Sequence, residues 1–576
     1  MGLSRVIRRE HRPLGFILRD LRNTAFLVLD TQTCLMITQA NIQPHPPRYH
    51  IAMDGYALSS HLTTHASPTN PIKFKVIGSI GAGDEPIVIG SEVSSAGDPR
   101  SLGQKDGLDE EAMEEEDEGG ERTCYEIMTG APFPILKDGD DDLERDQSGS
   151  GSGTPRRRTY DACVRHESII IHPDDQPSSI STLEATPTSF PRARYITLHA
   201  PISAYANRKL AGEDFRVGDL LAREGEEVSG GKVMVLASTG LNRLSVRRES
   251  GGWAGGARAG AGRQGGLRIG VLTTGKEVAH NHNIGSAATS TTTEPSQTSL
   301  EKGHIFNSNA PYLLATLRSW GHDPVLIPAP QQDTATGFQD CLRRATEMSS
   351  DEGDIPHLDL IITTGGVSAG KHDYVPGSVV ALGGQVVFHK TIIRPGFPLL
   401  FGDVPRRGGG RLPIFGLPGN PIAVAACLRF LVVEFLNGAM GSPGTGTVGI
   451  KLARLLPADF ASSSTITTIA GCGMSKESNA APRTRSHKKP LMTRCFMPAR
   501  YHAQCPSGFL AEESPSASPN LSAAVPGLDL IPWVEPLTRS ASLTKAMSEA
   551  NCWVILPEGK DVYEEGEVVE IVDMQP

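Results

Sequence analysis

Two carboxylates, two cations and a set of glycine-rich turns carry the chemistry open to this chain. Glu277 lies in TTGKEV, Asp373 in TTGGVSAGKHDY, and Lys390 and Arg394, four residues apart, in HKTIIRPG. Carboxylates of this kind suit Mg2+, which usually takes about two of them and completes its shell with water and substrate phosphate. Lys390 and Arg394 suit counter-charges for a doubly negative ligand. Gly365 and Gly366 let backbone N–H groups approach an anion closely. In GLPGNP, Asn420 is read as the cap of the next helix and Pro421 as its first-turn residue. That helix would then point a partly positive end at the same ligand. FNSN adds Asn307 and Asn309; one of its Asn or Ser residues caps the following helix, so Asn307 is open to a structural reading as well as a ligand one. Singly, each feature is an ordinary turn, cap or surface charge. Together they point to an anionic ligand.

Three of these turns follow short apolar runs: TTGKEV follows RIGVL, TTGGVSAGKHDY follows LDLII, and GLPGNP follows LPIF. Between them lie PYLLATLRSWG and TGFQDCLRRATEM, with helical spacing, and DPVLIPAP, read as a strand. Strand alternating with helix argues for a mostly parallel sheet with right-handed crossovers. Ligands gather outside the carboxyl ends of such strands, so the three loops should share one rim. The apolar stretch Ile422 to Leu436 reads as a helix. KFKVIGSIGAGDEP and TCYEIMTGAPFP read as strands of a small β domain, GGKVMVLASTGL as a helix, and ANCWVILPEGKDVYEEGEVVEIVD as two strands around a turn.

The composition sets the bounds. With 576 residues, 38% hydrophobic, 5% aromatic, 62 Gly and 42 Pro, the chain can build cores but must also carry much loop. Ten acidic residues between Asp106 and Glu121 account for the net charge of −10, so bulk charge implies no nucleic-acid partner. Nine cysteines without CxxC spacing fit neither a disulfide framework nor a zinc site. No apolar run approaches the roughly 18 residues that would suggest a membrane span. The arginine-rich start is interrupted by Glu10 and Asp20 and lacks the pattern of a transit peptide. The expected location is cytoplasmic. The acidic run, 138–159, 281–303 and about 475–490 read as polar insertions, and 251–266 as a flexible linker.

The ordered motifs AMDGYAL, IMTGAPFP, DACVRHE, GEDFRVGD, TTGKEV, IFNSN, TTGGVSAGKHDY, RPGFP and GLPGNP resemble those of the molybdopterin molybdenumtransferases. This is the molybdenum insertase family, to which the gephyrin E domain belongs. The resemblance runs over roughly residues 50 to 576. It implies a multidomain α/β plus β protein. A mixed dimerisation domain would comprise 1–54 and 191–250, a small β domain 55–190, an α/β molybdopterin-binding domain with a parallel-rich sheet 267–440, and a β-barrel-like domain 441–576. It also implies a homodimer in which the partner's small β domain helps to complete the active site. The family reaction takes adenylylated molybdopterin, releases AMP and transfers molybdate to the dithiolene, with Mg2+ required.

Carried over by motif, Asp54 of MDGYA, Thr129 of TGAP, Glu277, Asp373, Lys390 and Arg394 become the catalytic set. Glu277 and Asp373 would hold Mg2+. Gly365, Gly366, Ser368, Gly370, Pro395, Gly396, Gly419, Asn420, Pro421, Asn307 and Asn309 would line the pterin site. A molybdopterin adenylyltransferase is the expected upstream partner, supplied by another chain or by sequence outside these 576 residues, and molybdoenzyme apoproteins are the recipients. Four positions depart from the family pattern: Asn307 stands where many members have Asp, Ala423 where a hydroxyl is common, Phe397 replaces a lysine, and Lys276 a common Asp. Residues 1–50 also lack the helix and LGRVLAEDV-like segment that contribute to the dimer. The alternative is a non-catalytic, gephyrin-like scaffold that binds pterin. A third reading, the adenylyltransferase itself, shares the GGVS loop but has neither the MDGYA-type β domain nor the C-terminal β piece.

Overall fold

A computed structural model describes residues 54–89, 122–136, 160–173, 193–247, 266–279, 303–330, 333–347, 357–368, 373–441, 450–456, 492–503, 531–538 and 543–575, apart from a few single positions, together with short strands elsewhere. The acidic run, 138–159 and nearly all of 251–266 and 281–303 lie outside the described residues. Within the fourth proposed insertion, Ser486–Lys488 forms a strand paired antiparallel with Val562–Glu564. Polar composition had suggested a solvated loop there, but ladder pairing uses the backbone and does not require apolar side chains. The chain divides into two compact units, 48–211 with 301–303, and 1–47 with 212–300 and 304–576.

The smaller unit is a six-stranded sheet ordered Ala162–Arg165, Gly55–Leu58, Thr123–Ile127, Ile72–Ile80, Ala193–Leu198, Ile169–Pro173. Only Ile72–Ile80 and Thr123–Ile127 run parallel. Period-two alternation gives each face its own core. Ala57, Ile127 and Cys163 pack with Phe133 on one face; Tyr56, Leu58, Cys124 and Val164 pack with Phe74 on the other. The glycine of MDGYA has a steric cause: a Cβ on Gly55 would stand 2.0 Å from the Val164 carbonyl oxygen of the neighbouring strand. The sheet includes Ala193–Leu198, so this unit continues past residue 190.

In the larger unit, the α/β sheet is ordered Asp323–Leu326, Arg268–Thr273, Leu360–Thr364, Arg411–Leu417, Leu400–Pro405, Gln385–His389. The first four are parallel and the last two antiparallel additions. Leu360–Thr364 is buried along its whole length, as a strand covered on both faces must be. Asn309–Ser319 and Ala335–Glu347 form the expected helices. A third helix, Tyr374–Ala381, went unread because it contains Pro376 and Gly377. Proline is tolerated there because it lies in the first turn, where an N–H has no intrahelical partner.

The apolar helix spans Pro421–Ala439, with a π-helical turn at Leu428–Val432. Its 19 residues and mean hydropathy of 1.8 meet the length and composition of a membrane span, contrary to the expectation that no apolar run approaches that length; Arg429 and Glu434 interrupt the apolar residues and mask it in the sequence. It is mostly buried, in the same core as Leu360 and Trp553, and that marks a core helix. Beyond it, Arg494–His502, Trp533–Pro536, Lys451–Leu455, Val568–Asp573 and Cys552–Leu556 pair in sequence, and the last pairs back to the first. The result is a closed five-stranded barrel.

The helix Gly230–Ser238 is buried at every residue and packs in the core that holds Leu313 and Met547. Beside it, Asp214 of GEDFRVGD is only 3% exposed. Its carboxylate accepts from Thr544 N at 2.6 Å, Thr544 Oγ1 at 2.7 Å and Lys545 N at 2.8 Å. This caps the short helix Lys545–Glu549 from a residue 330 positions away. Asp214→Ala leaves two backbone donors without an acceptor, so we predict a loss of about 3 kcal/mol of stability. Urea unfolding of variant and parent checks it; a change under about 0.5 kcal/mol would mean that the cap contributes nothing.

Candidate active site

The three glycine-rich turns do share the carboxyl rim of the α/β sheet, and hydrogen bonds join them. Thr274 donates to the Thr364 carbonyl through both its N–H, at 3.0 Å, and its Oγ1, at 2.9 Å. Gly365 N–H donates to the Leu417 carbonyl at 3.0 Å. Asn309 Nδ2 donates to the Gly419 carbonyl at 2.7 Å, which ties IFNSN to GLPGNP. Asn309 Oδ1 is buried and has no partner among the described residues. Gly365 and Gly366 have φ of +82° and +67°, the left-handed region that disfavours side chains. A Cβ on Gly365 would also press to 2.9 Å from Thr274 Oγ1.

Several expectations change in detail. The Gly365 amide is committed to Leu417, so an anion cradle begins at Gly366. Asn420 occupies the N-cap position, but its side chain makes no capping bond; its carbonyl closes the first turn by accepting from Val424 N at 3.0 Å. Pro421 stands in the first turn as read. Asn307 is 9% exposed, with both amide atoms used internally. Its Nδ2 donates to Thr273 Oγ1 at 2.8 Å and its Oδ1 accepts from Ala310 N at 3.1 Å. Asn307 therefore anchors the helix start to the strand end, which favours its structural reading. Ser368 is exposed beside the loop, and Gly370 lies outside the described residues.

The carboxylates come from three rim positions. Asp373 directly precedes Tyr374–Ala381, and its side chain makes no capping bond to that helix. Glu277 is half-buried, and burial pushes its carboxyl up to about 7; its own backbone N–H opposes the rise and Asp333 adds to it. Asp333 was missed in the sequence. It follows the strand Asp323–Leu326 and accepts from Lys276 N at 3.2 Å, which makes a fourth loop of the rim. Burial first, then the negative charges of Asp333 and Asp373, raise the Tyr374 hydroxyl above its ordinary value. Among the described residues, no group of three or more His, Cys, Asp or Glu side chains could hold a metal by itself.

The basic segment reaches the same rim by topology. Gln385–His389 is antiparallel to Leu400–Pro405, itself antiparallel to Arg411–Leu417, so it runs with the parallel strands and ends at their carboxyl edge. Lys390 and Arg394 follow, both exposed, and neither makes an ion pair among the described residues. Lys390 N donates to the Leu399 carbonyl and Thr391 N to the Phe397 carbonyl, each at 2.8 Å. These bonds fold the segment back at Pro395 and Gly396. Asp54 and Thr129 belong to the β unit. There Thr129 donates to Asp54 Oδ1 from its N–H at 2.7 Å and its Oγ1 at 2.9 Å, a tie between two segments 75 residues apart in the chain and not the local turn closure open to Asp54 in the sequence.

The raised pKa of Glu277 makes a prediction for stability. The folded state keeps a proton that the unfolded state gives up near the ordinary value of 4.5, so this group's contribution declines as pH rises from there to about 7. Glu277→Gln removes that decline. The difference in melting temperature between variant and parent, followed from pH 4 to 8, should grow in the variant's favour up to about pH 7 and then level. A constant difference would mean that Glu277 titrates normally.

Family models match most of the chain. A probable molybdopterin binding domain matches residues 270–438, a MoeA N-terminal region (domain I and II) residues 38–240, and a MoeA C-terminal region (domain IV) residues 531–574. The chain is 24% identical over 520 residues to a molybdopterin molybdenumtransferase of Synechococcus elongatus, covering 90% of this chain and 86% of that one. It is 27% identical over 392 residues to a Staphylococcus aureus protein of the same name, covering 67% of this chain and 65% of that one. The crystal structure of a molybdopterin biosynthesis MoeA protein from Pyrococcus horikoshii is similar at 19% identity and a TM-score of 0.34, over 100% of this chain and 96% of that one. With the rim geometry and the ordered motifs, the three family models and the two sequence relatives show that the chain belongs to the molybdopterin molybdenumtransferase (MoeA) family, whose members are transferases.

Proposed function

We propose that this protein is a molybdenum insertase of molybdenum cofactor biosynthesis, which accepts adenylylated molybdopterin, releases AMP and loads molybdate onto the dithiolene. The observation that carries the reading is the gathering of the Gly366 loop, the GLPGNP helix start, Glu277, Asp333, Asp373 and the Lys390–Arg394 segment at one sheet rim. The first-turn amides of Ile422 and Ala423 precede the first backbone bond of their helix, which Val424 makes. With the amides after Gly365 they offer donors for phosphate oxygens. Lys390 and Arg394 draw in molybdate or the pterin phosphate and balance its charge.

Glu277 and Asp373, the pair assigned to the cation by the resemblance, would hold Mg2+ in the usual manner of that ion, which borrows the remaining ligands from phosphate and water. Burial chiefly, and Asp333 in smaller part, raise the Glu277 carboxyl, and a cation beside it would oppose that rise. When bound, Mg2+ would neutralise phosphate charge during AMP release. Asp54, oriented by Thr129, is assigned to the same reaction from the family resemblance. A cytoplasmic homodimer, supplied by a molybdopterin adenylyltransferase and serving molybdoenzyme apoproteins, completes the proposal. Ala423, without the usual hydroxyl, favours one second reading: pterin binding without turnover.

The purified protein, given adenylylated molybdopterin, molybdate and Mg2+, should release AMP and incorporate molybdenum. Asp373→Ala should lower the rate about a hundredfold or more, and Lys390→Ala should chiefly raise KM for molybdate. Tight pterin binding with no AMP release by the parent would replace the insertase with the binding-only reading.

A further inference from the structure

The strand Gln385–His389 carries a β-bulge that determines where its last side chain points. Val386 pairs with Gly402 and Phe388 with Phe401, so Val387 is an extra residue without an opposite number. Bulges re-aim side chains and are frequent beside active sites. The exposure pattern records the shift. Gln385, Val386 and Val387 alternate exposed, half-buried, exposed; Phe388 is then exposed as well, and His389 is half-buried. Without the insertion the alternation would turn His389 outward.

So aimed, the His389 ring places Nε2 2.6 Å from the carbonyl oxygen of Val367, in the glycine-rich loop 22 residues earlier. A carbonyl oxygen only accepts, so Nε2 carries the hydrogen. The next residue, Lys390, has φ of +75°, a left-handed conformation uncommon for a residue with a side chain. Lys390 is thus held from both sides, by the His389 ring bonded to Val367 and by its own N–H bonded to Leu399. Such strain persists only where the surroundings over-determine it.

We infer that His389 is a positioning residue, whose bond to Val367 fixes the Lys390 cation relative to the anion cradle that starts at Gly366. It touches no reacting atom and acts through the two segments it joins. The inference rests on the insertase reading for its consequence in catalysis, but the link itself can be tested without turnover.

The experiment compares the full chain with His389→Phe, which keeps the ring but removes the donor, and His389→Gln, whose amide nitrogen can replace Nε2. Hydrogen–deuterium exchange should rise in His389→Phe in both the 365–368 and 390–397 peptides, and return towards the parent in His389→Gln. In steady-state AMP release with molybdate and Mg2+, His389→Phe should lose about tenfold to a hundredfold in kcat/KM, mainly through KM, and His389→Gln should recover most of it. Unchanged exchange in His389→Phe, or equal impairment of both variants, would overturn the positioning role. Absence of AMP release by the parent would sink the insertase reading, and the exchange result would still decide whether His389 joins the two loops.

Discussion

The candidate site depends on the end of one buried strand. The Thr364 carbonyl receives two hydrogen bonds from Thr274, and the next amide, Gly365, donates to Leu417. Three loops from different parts of the sequence are thereby held against one another at the carboxyl edge, before any ligand arrives. A parallel sheet leaves these terminal carbonyls and amides without ladder partners, and burial makes the deficit costly. The neighbouring loops satisfy it, and their glycines are what let them come close enough. Rigidity at the rim follows from the backbone's need for partners.

Charge is then distributed over that frame in a consistent way. Carboxylates occupy the loops after Arg268–Thr273, Asp323–Leu326 and Leu360–Thr364; cations occupy the segment after Gln385–His389. The two antiparallel strands appended to the sheet are what bring the cations to the same edge. A purely parallel sheet would have needed another crossover helix to do so. The proposed reaction, which would join a phosphate-bearing pterin to an oxyanion, calls for both signs of charge at one place.

Much of this was legible in the sequence because it was periodic or punctuated. Apolar runs ending in glycine turns placed the parallel strands along the chain and their loops on one rim, and MDGYA, TTGGVS and GLPGNP pointed to the family. Asp333 escaped because its loop, IPAPQQD, has no glycine signature and gains meaning only from the strand before it. The helix Tyr374–Ala381 escaped because proline and glycine mask helical patterns even where the first turn accommodates them. The bulge at Val387 could not be read at all, since it is a register relation between two strands. Asn420 shows the reverse case, where the residue stands at the cap as read but its carbonyl does the work, whereas Asn307 holds the helix start with its side chain, as its structural reading expects. Among the ordered motifs, the Asp of DACVRHE also proves architectural: Asp161 accepts from Ser60 N and Ser60 Oγ, each at 2.6 Å.

The cap formed by Asp214 has a consequence in time. Its donors, at Thr544 and Lys545, are made only after some 330 further residues have been translated. At about 5–20 residues per second, that interval is on the order of 20–60 seconds. Throughout it, the carboxylate must remain hydrated, and the apolar helix Gly230–Ser238 beside it must wait for Met547 and the rest of its covering. The β unit has no such debt: every strand of its sheet lies between Gly55 and Leu198. Synthesis therefore delivers a sheet able to fold early and, around Asp214, an unfinished surface that a holding chaperone would be well placed to cover.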